Sequence, residues 1–334
     1  MAIKNGVSIT LCTFNGKHLL PQTLEHLAKQ KLTMPCELIL VDNASTDGTK
    51  AFADNWWDTH GNDNIAYRSL SQPIPGKSYA QDLAYEHANY ECLLICDDDN
   101  WLDADYVQRA YDTMQTHPDI GAIGGCSEAV FEKEAPRWFD TYANFYAVGK
   151  QSPTSGDITE KEGYLYGAGM MVRKSHWLEL KTLGFEHLLS CRKGNALSSG
   201  GDTEYCYALR LLGYRIWYDD QLKFKHFMAS GRLNLSYLSR LRKAMAYSNF
   251  VIHTYRLVLQ GKSPSKWKTM QQKLKKQFLK KMYKLGFGNY REKEAAKAYF
   301  RDFKLVLFSH QERRQHYQFI RSWVPTEKLQ ESHF

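Results

Sequence analysis

Residues 93–107 read LLICDDDNWLDADYV, an apolar run that ends in three consecutive carboxylates, Asp97, Asp98 and Asp99. Each carboxylate raises the cost of ionising its neighbours, so a chain that stacks them at the end of a buried strand calls for a cation. Carboxylates at i and i+2 leaving a strand both reach one hard ion. Mg2+ or Mn2+ is commonly held by one or two carboxylates together with the phosphates of a substrate. Such an ion also neutralises the charge that develops on a departing diphosphate. The run reads as a metal and diphosphate site, with an exposed acidic turn, or a cap for a helix starting near Asp103, as the plainer alternatives.

Upstream of that stretch, short β-rich runs alternate with helical patterns: VSITLCTF (7–14), a helix across 17–30, ELILVDN (37–43), a helix over 48–58, IAYRSL (65–70) and a helix across 77–89. Strands alternating with helices imply βαβ units and a mostly parallel sheet. Ligands of such sheets bind outside the carboxyl ends of the strands. Three of the strands end there in polar turns, CTFNG, VDNASTDGT and CDDDN. In the second, Asp42 and Asp47 stand among Asn, Ser and Thr, a composition that also suits an ordinary capped turn.

The bulk properties fit this frame. A chain of 334 residues, 43% hydrophobic and 24% charged, is long enough for one large core and an appended region, with nothing that suggests disorder. The seven cysteines show no paired spacing that would hold zinc, and they are expected to be reduced thiols in a cytoplasmic protein. The first residues lack the apolar stretch of a signal peptide, and no apolar run is long enough to cross a bilayer. The net charge of +8 is concentrated late: residues 261–285 carry nine lysines and no acid. There Trp267, Met270, Leu274, Phe278, Met282 and Leu285 recur at three- and four-residue steps, the pattern of an amphipathic helix. That helix either packs on its own domain with a solvated basic back or lies on an anionic membrane face; nucleic acid is not expected as a partner. Strand signals fade after residue 230, which sets the expected domains at 1–232 and 233–334.

The motifs VSITLCTFNG, ELILVDNASTDGT and LLICDDDNWLDADYV, followed by YLYGAGMMVRKSHW (164–177) and SSGGDTEYCYALRLLGYRIWYDDQLKFKHFM (198–228), resemble in order and spacing the family 2 nucleotide-sugar glycosyltransferases. The resemblance covers roughly residues 5–232. It implies a GT-A fold, an α/β Rossmann-like sheet flanked by helices, here with a helical C-terminal extension. It further implies a divalent metal cofactor (Mn2+ or Mg2+), a nucleotide-sugar donor, and a glycan or lipid-linked acceptor such as those of surface polysaccharide or O-antigen assembly.

By the same resemblance, the turn Thr13, Phe14, Asn15 and the pair Asp42, Asn43 embrace the nucleoside, with Asp42 accepting from the imide proton of uracil. In PGKSYAQDLAYEHA (75–88), Gly76 and Ala80 match the family's helix, while Gln81 and Asp82 replace its Arg and Asn, so Lys77 is the expected substitute on the donor phosphate. Asp97 and Asp98 are assigned to the donor and Asp99 to the metal, with His226 beside it. Asp202 aligns with the base that deprotonates the acceptor, although Gly201 stands where the family carries an acid. Glu204 is expected to orient an acceptor hydroxyl. Gly167 and Gly169 let backbone approach the sugars, or simply pack a strand closely. Trp138 and Tyr142 stack on an acceptor sugar or pack in the core. Arg192 and Lys193, on a loop before the base, clamp the diphosphate. Two rival readings remain in view, a nucleotidyltransferase and a non-catalytic nucleotide-sugar-binding protein of the same fold.

Overall fold

Strand β1 (Lys4–Thr13) is buried on both faces along Val7–Leu11, as a central strand of a parallel sheet covered by helices on either side must be. Around it the chain builds β2 (Cys36–Asp42), β3 (Ile65–Ser71) and β4 (Tyr90–Asp97), with helices α1 (Leu20–Ala28), α2 (Thr49–His60) and α3 (Lys77–His87) as the crossovers. The computed structural model describes residues 3–189, 200–264, 267–289, six positions between 292 and 300, and 310–331.

After β4 come β5 (Asn100–Leu102), α4 (Tyr106–Thr116), β6 (Ile120–Phe131), α5 (Phe139–Tyr142), β7 (Gly156–Asp157), β8 (Met171–Arg173), α6 (Lys174–Leu183), α7 (Gly201–Leu211) and β9 (Arg215–Met228). The sheet runs in the order β3-β2-β1-β4-β8-β6-β9-β5, with β7 paired to β9. The pairings β1–β2, β1–β4, β2–β3 and β6–β9 are parallel, and the short strands β5, β7 and β8 pair antiparallel. This is the expected α/β sheet flanked by helices.

Strand β9 is 14 residues long, and its register against β6 shifts between Gly124 and Cys126. Gly125 permits that bulge, because a Cβ there would lie 1.8 Å from the Leu222 carbonyl oxygen. Beyond the bulge, β9 takes up β5 on its other side with Asn100 opposite His226. The three-residue β5 thereby sets the end of the acidic run against the end of β9.

The chain divides into two compact units, Met1–Arg242 and Lys243–Phe334, and the division falls within helix α8 (Leu235–Leu259). In the second unit, α8 packs on the helix His310–Trp323: the Tyr247 hydroxyl donates to Glu312 Oε1 at 2.8 Å, and the Arg313 guanidinium lies 4.7 Å over the Phe250 ring. Helix α9 (Trp267–Phe287) leaves Leu279, Met282, Tyr283 and Phe287 exposed, from 49% to 81%. Their spacing puts them on one stripe, displaced from the one read in the sequence and shared with the exposed lysines 275, 276 and 280. Among the described residues, no helix is long and apolar enough to cross a membrane.

Candidate active site

The parallel registers place Thr13 opposite Asp42 and Cys12 opposite Asp97, so the turns after β1, β2 and β4 gather at one sheet edge. Chain connections diverge to either side of β1 at this edge, the crevice in which open α/β sheets bind ligands. A cavity of about 710 Å3 opens there. Thr13, Phe14, Asn15, Asn43, Gly76 and Lys77 line one side; Asp97, Asp98 and Asp99 lie between; Gly167, Asp202, His226 and Arg232 line the rest, with Phe145 and Tyr146.

The turns after β1 and β2 are clasped together. The Asn15 amide donates to Ser45 Oγ at 2.8 Å, and Asn15 Oδ1 accepts from the Thr46 amide at 2.8 Å. Asn15 itself holds a positive φ of 51°, a conformation Asn tolerates better than most residues. Asp47, one residue ahead of the Gly48 N-cap of α2, accepts from the Thr49 amide at 3.0 Å. Asn43 spends its side chain on the segment ahead of α3: Nδ2 donates to the carbonyls of Gln72 (3.1 Å) and Ile74 (2.7 Å), and Oδ1 accepts from the Gly76 amide (2.8 Å). Its place at the cavity is thus that of a brace for Gly76 and Lys77.

Each carboxylate of the acidic run has protein partners. Asp97 pairs with Lys77. Asp98 Oδ2 accepts from Thr13 Oγ1 at 2.7 Å, an approach that Gly16 makes possible, since a Cβ at Gly16 would sit 2.1 Å from that hydroxyl and 2.5 Å from Asp98 Oδ2. Asp99, buried, accepts from Arg232 Nη1 at 2.8 Å and from Asn100 Nδ2 at 3.0 Å. His226 Nε2 lies 3.3 Å from Asp99 Oδ1, while His226 Nδ1 is buried with no hydrogen-bond partner among the described residues. The charge concentration that the sequence displays is therefore met by Lys77 and Arg232 from two different elements.

The Asp99 carboxylate and the His226 imidazole, side by side on the cavity wall, form a donor pair suited to Mn2+ or Mg2+, and their 3.3 Å separation is about that of adjacent ligands on one such ion. Among the described residues no three His, Cys, Asp or Glu side chains converge on one point as a metal cage. A cation here would draw its remaining ligands from the phosphates of a substrate and from water, as Mg2+ commonly does. Cys12 also lines the cavity, and burial pushes its thiol up to about 12, so it stands there as a neutral group.

Asp202, also at the cavity, lies in the first turn of α7, and its Oδ2 accepts from the Gly167 amide at 2.7 Å. A Cβ at 167 would meet Asp202 Oδ2 at 2.8 Å, so any other residue there would push that carboxylate aside. Gly169, with φ of 72°, does not line the cavity; it packs against Tyr106, whose hydroxyl donates to its carbonyl at 2.7 Å. Glu204, two residues after Asp202, is fully buried and also absent from the lining. Its carboxylate accepts from the amides of Leu188 (3.0 Å) and Leu189 (2.9 Å) and lies 3.2 Å from His187 Nδ1. Trp138 and Tyr142 belong to a ring cluster with Phe139, Phe145 and Tyr146, of which Phe145 and Tyr146 are the ones at the cavity. Asp42 ends β2 beside the cavity without lining it, and its Oδ1 is buried with no hydrogen-bond partner among the described residues. Arg192 and Lys193 lie outside the described residues.

Several cavity residues were not singled out in the sequence, Tyr146 and Arg232 among them. Gly16, which lies behind the Thr13–Asp98 contact, had its signal in the turn CTFNG itself. Tyr146 lies in an aromatic-rich stretch that gives no reason to prefer it. Arg232 follows His226 by six residues, and only the pairing of β5 with β9 reveals that it faces Asp99.

Comparison with known proteins agrees with this fold. Residues 8–178 match the family model described as glycosyl transferase family 2. The glucosyl-dolichyl phosphate glucuronosyltransferase of Haloferax volcanii is 23% identical over 235 residues, 70% of this chain and 72% of that protein. The abequosyltransferase RfbV of Salmonella typhimurium is 23% identical over 181 residues, 51% of this chain and 54% of that protein. Among solved structures, the mannosyltransferase PcManGT of Pyrobaculum calidifontis, in complex with GDP-Man and Mn2+, superposes with a TM-score of 0.53 at 18% identity over 97% of this chain and 87% of that chain. S. aureus TarS 1-349 in complex with UDP-GlcNAc gives a TM-score of 0.53 at 15% identity, covering 94% of this chain and 90% of that one.

Proposed function

This chain is a family 2 glycosyltransferase of GT-A fold, and we propose that it transfers a sugar with inversion from a UDP-sugar to a hydroxyl of a glycan or lipid-linked acceptor. The observation that carries the reading is the single cavity lined by Asp97 and Asp99 at the end of β4 and by Asp202 at the start of α7. Donor chemistry and acceptor chemistry each need a carboxylate at the sugar, and one cavity lined by both groups supports this reading.

In this reading, Asp42, at the end of β2 beside the cavity, turns its carboxylate towards the nucleobase to receive the uracil imide N–H, and a nucleobase without a donor there leaves that oxygen unpaired. Lys77 and Arg232 lie where the diphosphate enters, and Asp99 and His226 hold the divalent ion. When bound, such an ion neutralises charge on the departing diphosphate. Asp202 takes the proton of the acceptor hydroxyl as its oxygen bonds the anomeric carbon and the bond to the diphosphate breaks on the other face. The Gly167 amide fixes the direction of that carboxylate.

The test is calorimetric titration with UDP, with and without Mn2+, beside GDP and dTDP. UDP binding that needs the metal and disappears in Asp99→Ala is the expected result. No metal-dependent binding of any of the three nucleotides would overturn the donor reading.

We place the reaction in the cytoplasm, on the inner face of the cell membrane, with the acceptor drawn from surface polysaccharide assembly. The support is the exposed α9 face on which Leu279, Met282, Tyr283 and Phe287 are interspersed with lysines 275, 276 and 280, a combination that suits an anionic lipid surface. Co-sedimentation with phosphatidylglycerol vesicles and not with phosphatidylcholine vesicles is expected. Equal recovery in the supernatant with both would remove the membrane from the proposal.

A further inference from the structure

The Asp99 carboxylate is engaged on both oxygens: Oδ2 by Arg232 at 2.8 Å, Oδ1 by Asn100 at 3.0 Å and by its contact with His226 at 3.3 Å. A divalent ion taken by Asp99 and His226 would share that carboxylate with a guanidinium, and like charges so placed in a partly buried wall repel strongly. The two cations then compete for one carboxylate. A guanidinium turned away from its carboxylate inside such a wall is itself unfavourable unless another anion receives it.

Arg232 is built to be the one that moves between anions. It ends the three-residue turn Ser230–Arg232, outside any long helix or strand, and its side chain keeps about a fifth of its surface exposed on the cavity wall. Its backbone is anchored, with the carbonyl accepting from the Tyr146 hydroxyl at 3.2 Å, and its guanidinium lies 5.9 Å over the Tyr237 ring. Its Nε is buried and has no hydrogen-bond partner among the described residues. The head thus carries unused donor capacity in a fork that matches a phosphate bidentately.

We propose that Arg232 is the cation a divalent ion displaces from Asp99, and that the displaced guanidinium passes to the donor's diphosphate, so that metal and nucleotide bind as a coupled pair. The inference rests on the donor reading above and adds what that reading does not supply, a reason for each ligand to strengthen the other. Metal alone must break the Arg232–Asp99 pair and leave the guanidinium unmatched. With the diphosphate present, the same rearrangement creates a new charge-assisted contact. Linkage makes the effect reciprocal: whatever factor the nucleotide adds to metal affinity, the metal adds to nucleotide affinity.

The experiment titrates Mn2+ into the full chain with free ion followed by electron paramagnetic resonance, alone and with saturating UDP, and titrates UDP by calorimetry. Wild type is expected to bind Mn2+ weakly alone and about 10-fold or more tighter with UDP, within the ~5- to 150-fold range of ordinary coupling between sites. Arg232→Gln is expected to bind Mn2+ alone several-fold tighter than wild type, while the gain from UDP falls to about 2-fold or less. Arg232→Lys, which keeps the charge and loses the fork, should bind Mn2+ alone as weakly as wild type with an intermediate gain, and guards against a misfolded Gln variant. If wild type couples the two ligands and Arg232→Gln leaves both the metal affinity and the coupling unchanged, the inference is overturned and the donor reading stands. If wild type binds neither ligand, both fall together.

Discussion

The two walls of the cavity hold their carboxylates by different means. On the donor wall, Asp97 is paired with Lys77 and Asp99 with Arg232, so charge meets charge. On the α7 wall, Asp202 accepts from a backbone amide, that of Gly167, and sits in the first turn of that helix. Side-chain cations are exchangeable, since each can be replaced by another cation or drawn off to another anion. A peptide N–H is not. The donor wall is therefore arranged for trading ligands, and the other for keeping one group pointed in one direction, which is what ligand binding and proton transfer respectively require.

The most severe test of that contrast is Asp202→Asn. Asparagine has nearly the same shape and retains an oxygen to accept from the Gly167 amide, so orientation survives while the proton acceptor is lost. Turnover of the donor sugar, on whichever UDP-sugar the nucleotide titrations lead to, should fall by ~10²- to 10⁴-fold, the usual contribution of a general base. UDP affinity by calorimetry should change by less than about 3-fold. Turnover within tenfold of wild type would move the base elsewhere and dissolve the distinction between the walls.

How much of this could be read in the sequence follows from the range of the forces involved. The strands of residues 4–97 and their crossover helices were legible because each is specified locally, by β-rich apolar runs ending in turn chemistry. The site residues that those strands carry at their ends, Thr13, Asp97 and Asp99, come to one edge by the pairing rules of parallel sheets alone. What the sequence could not display depends on the second half of the sheet. Strand β5 is three residues long and sits inside a stretch read as a turn, and its antiparallel pairing with β9 brings His226 and Arg232 to Asp99. A long-range register of that kind leaves no mark on local periodicity. The same holds for Asn43: its composition signals a turn, but only the fold shows its amide bracing the approach to Gly76.

Glu204 gives the finer test, because it and Asp202 stand two residues apart on one helix and face different surroundings. Side chains two apart on a helix point in different directions, so a motif that places two acids there commits at most one of them to the cavity. Glu204 is fully buried and gathers the amides of Leu188 and Leu189, a structural task resembling the Gly167–Asp202 bond with the roles of side chain and backbone kept. Removing it in Glu204→Ala leaves one buried and one half-buried N–H group without their acceptor, at about 1–3 kcal/mol each. The melting temperature should fall by roughly 4–8 °C or more, given ~2–4 °C per kcal/mol for a domain of this size. Turnover measured well below the transition should stay within about 3-fold of wild type once the folded fraction is taken into account. A variant that melts like wild type yet needs more than ten times the acceptor would instead put Glu204 on the acceptor hydroxyl, and the α7 wall would then carry two working carboxylates in place of one.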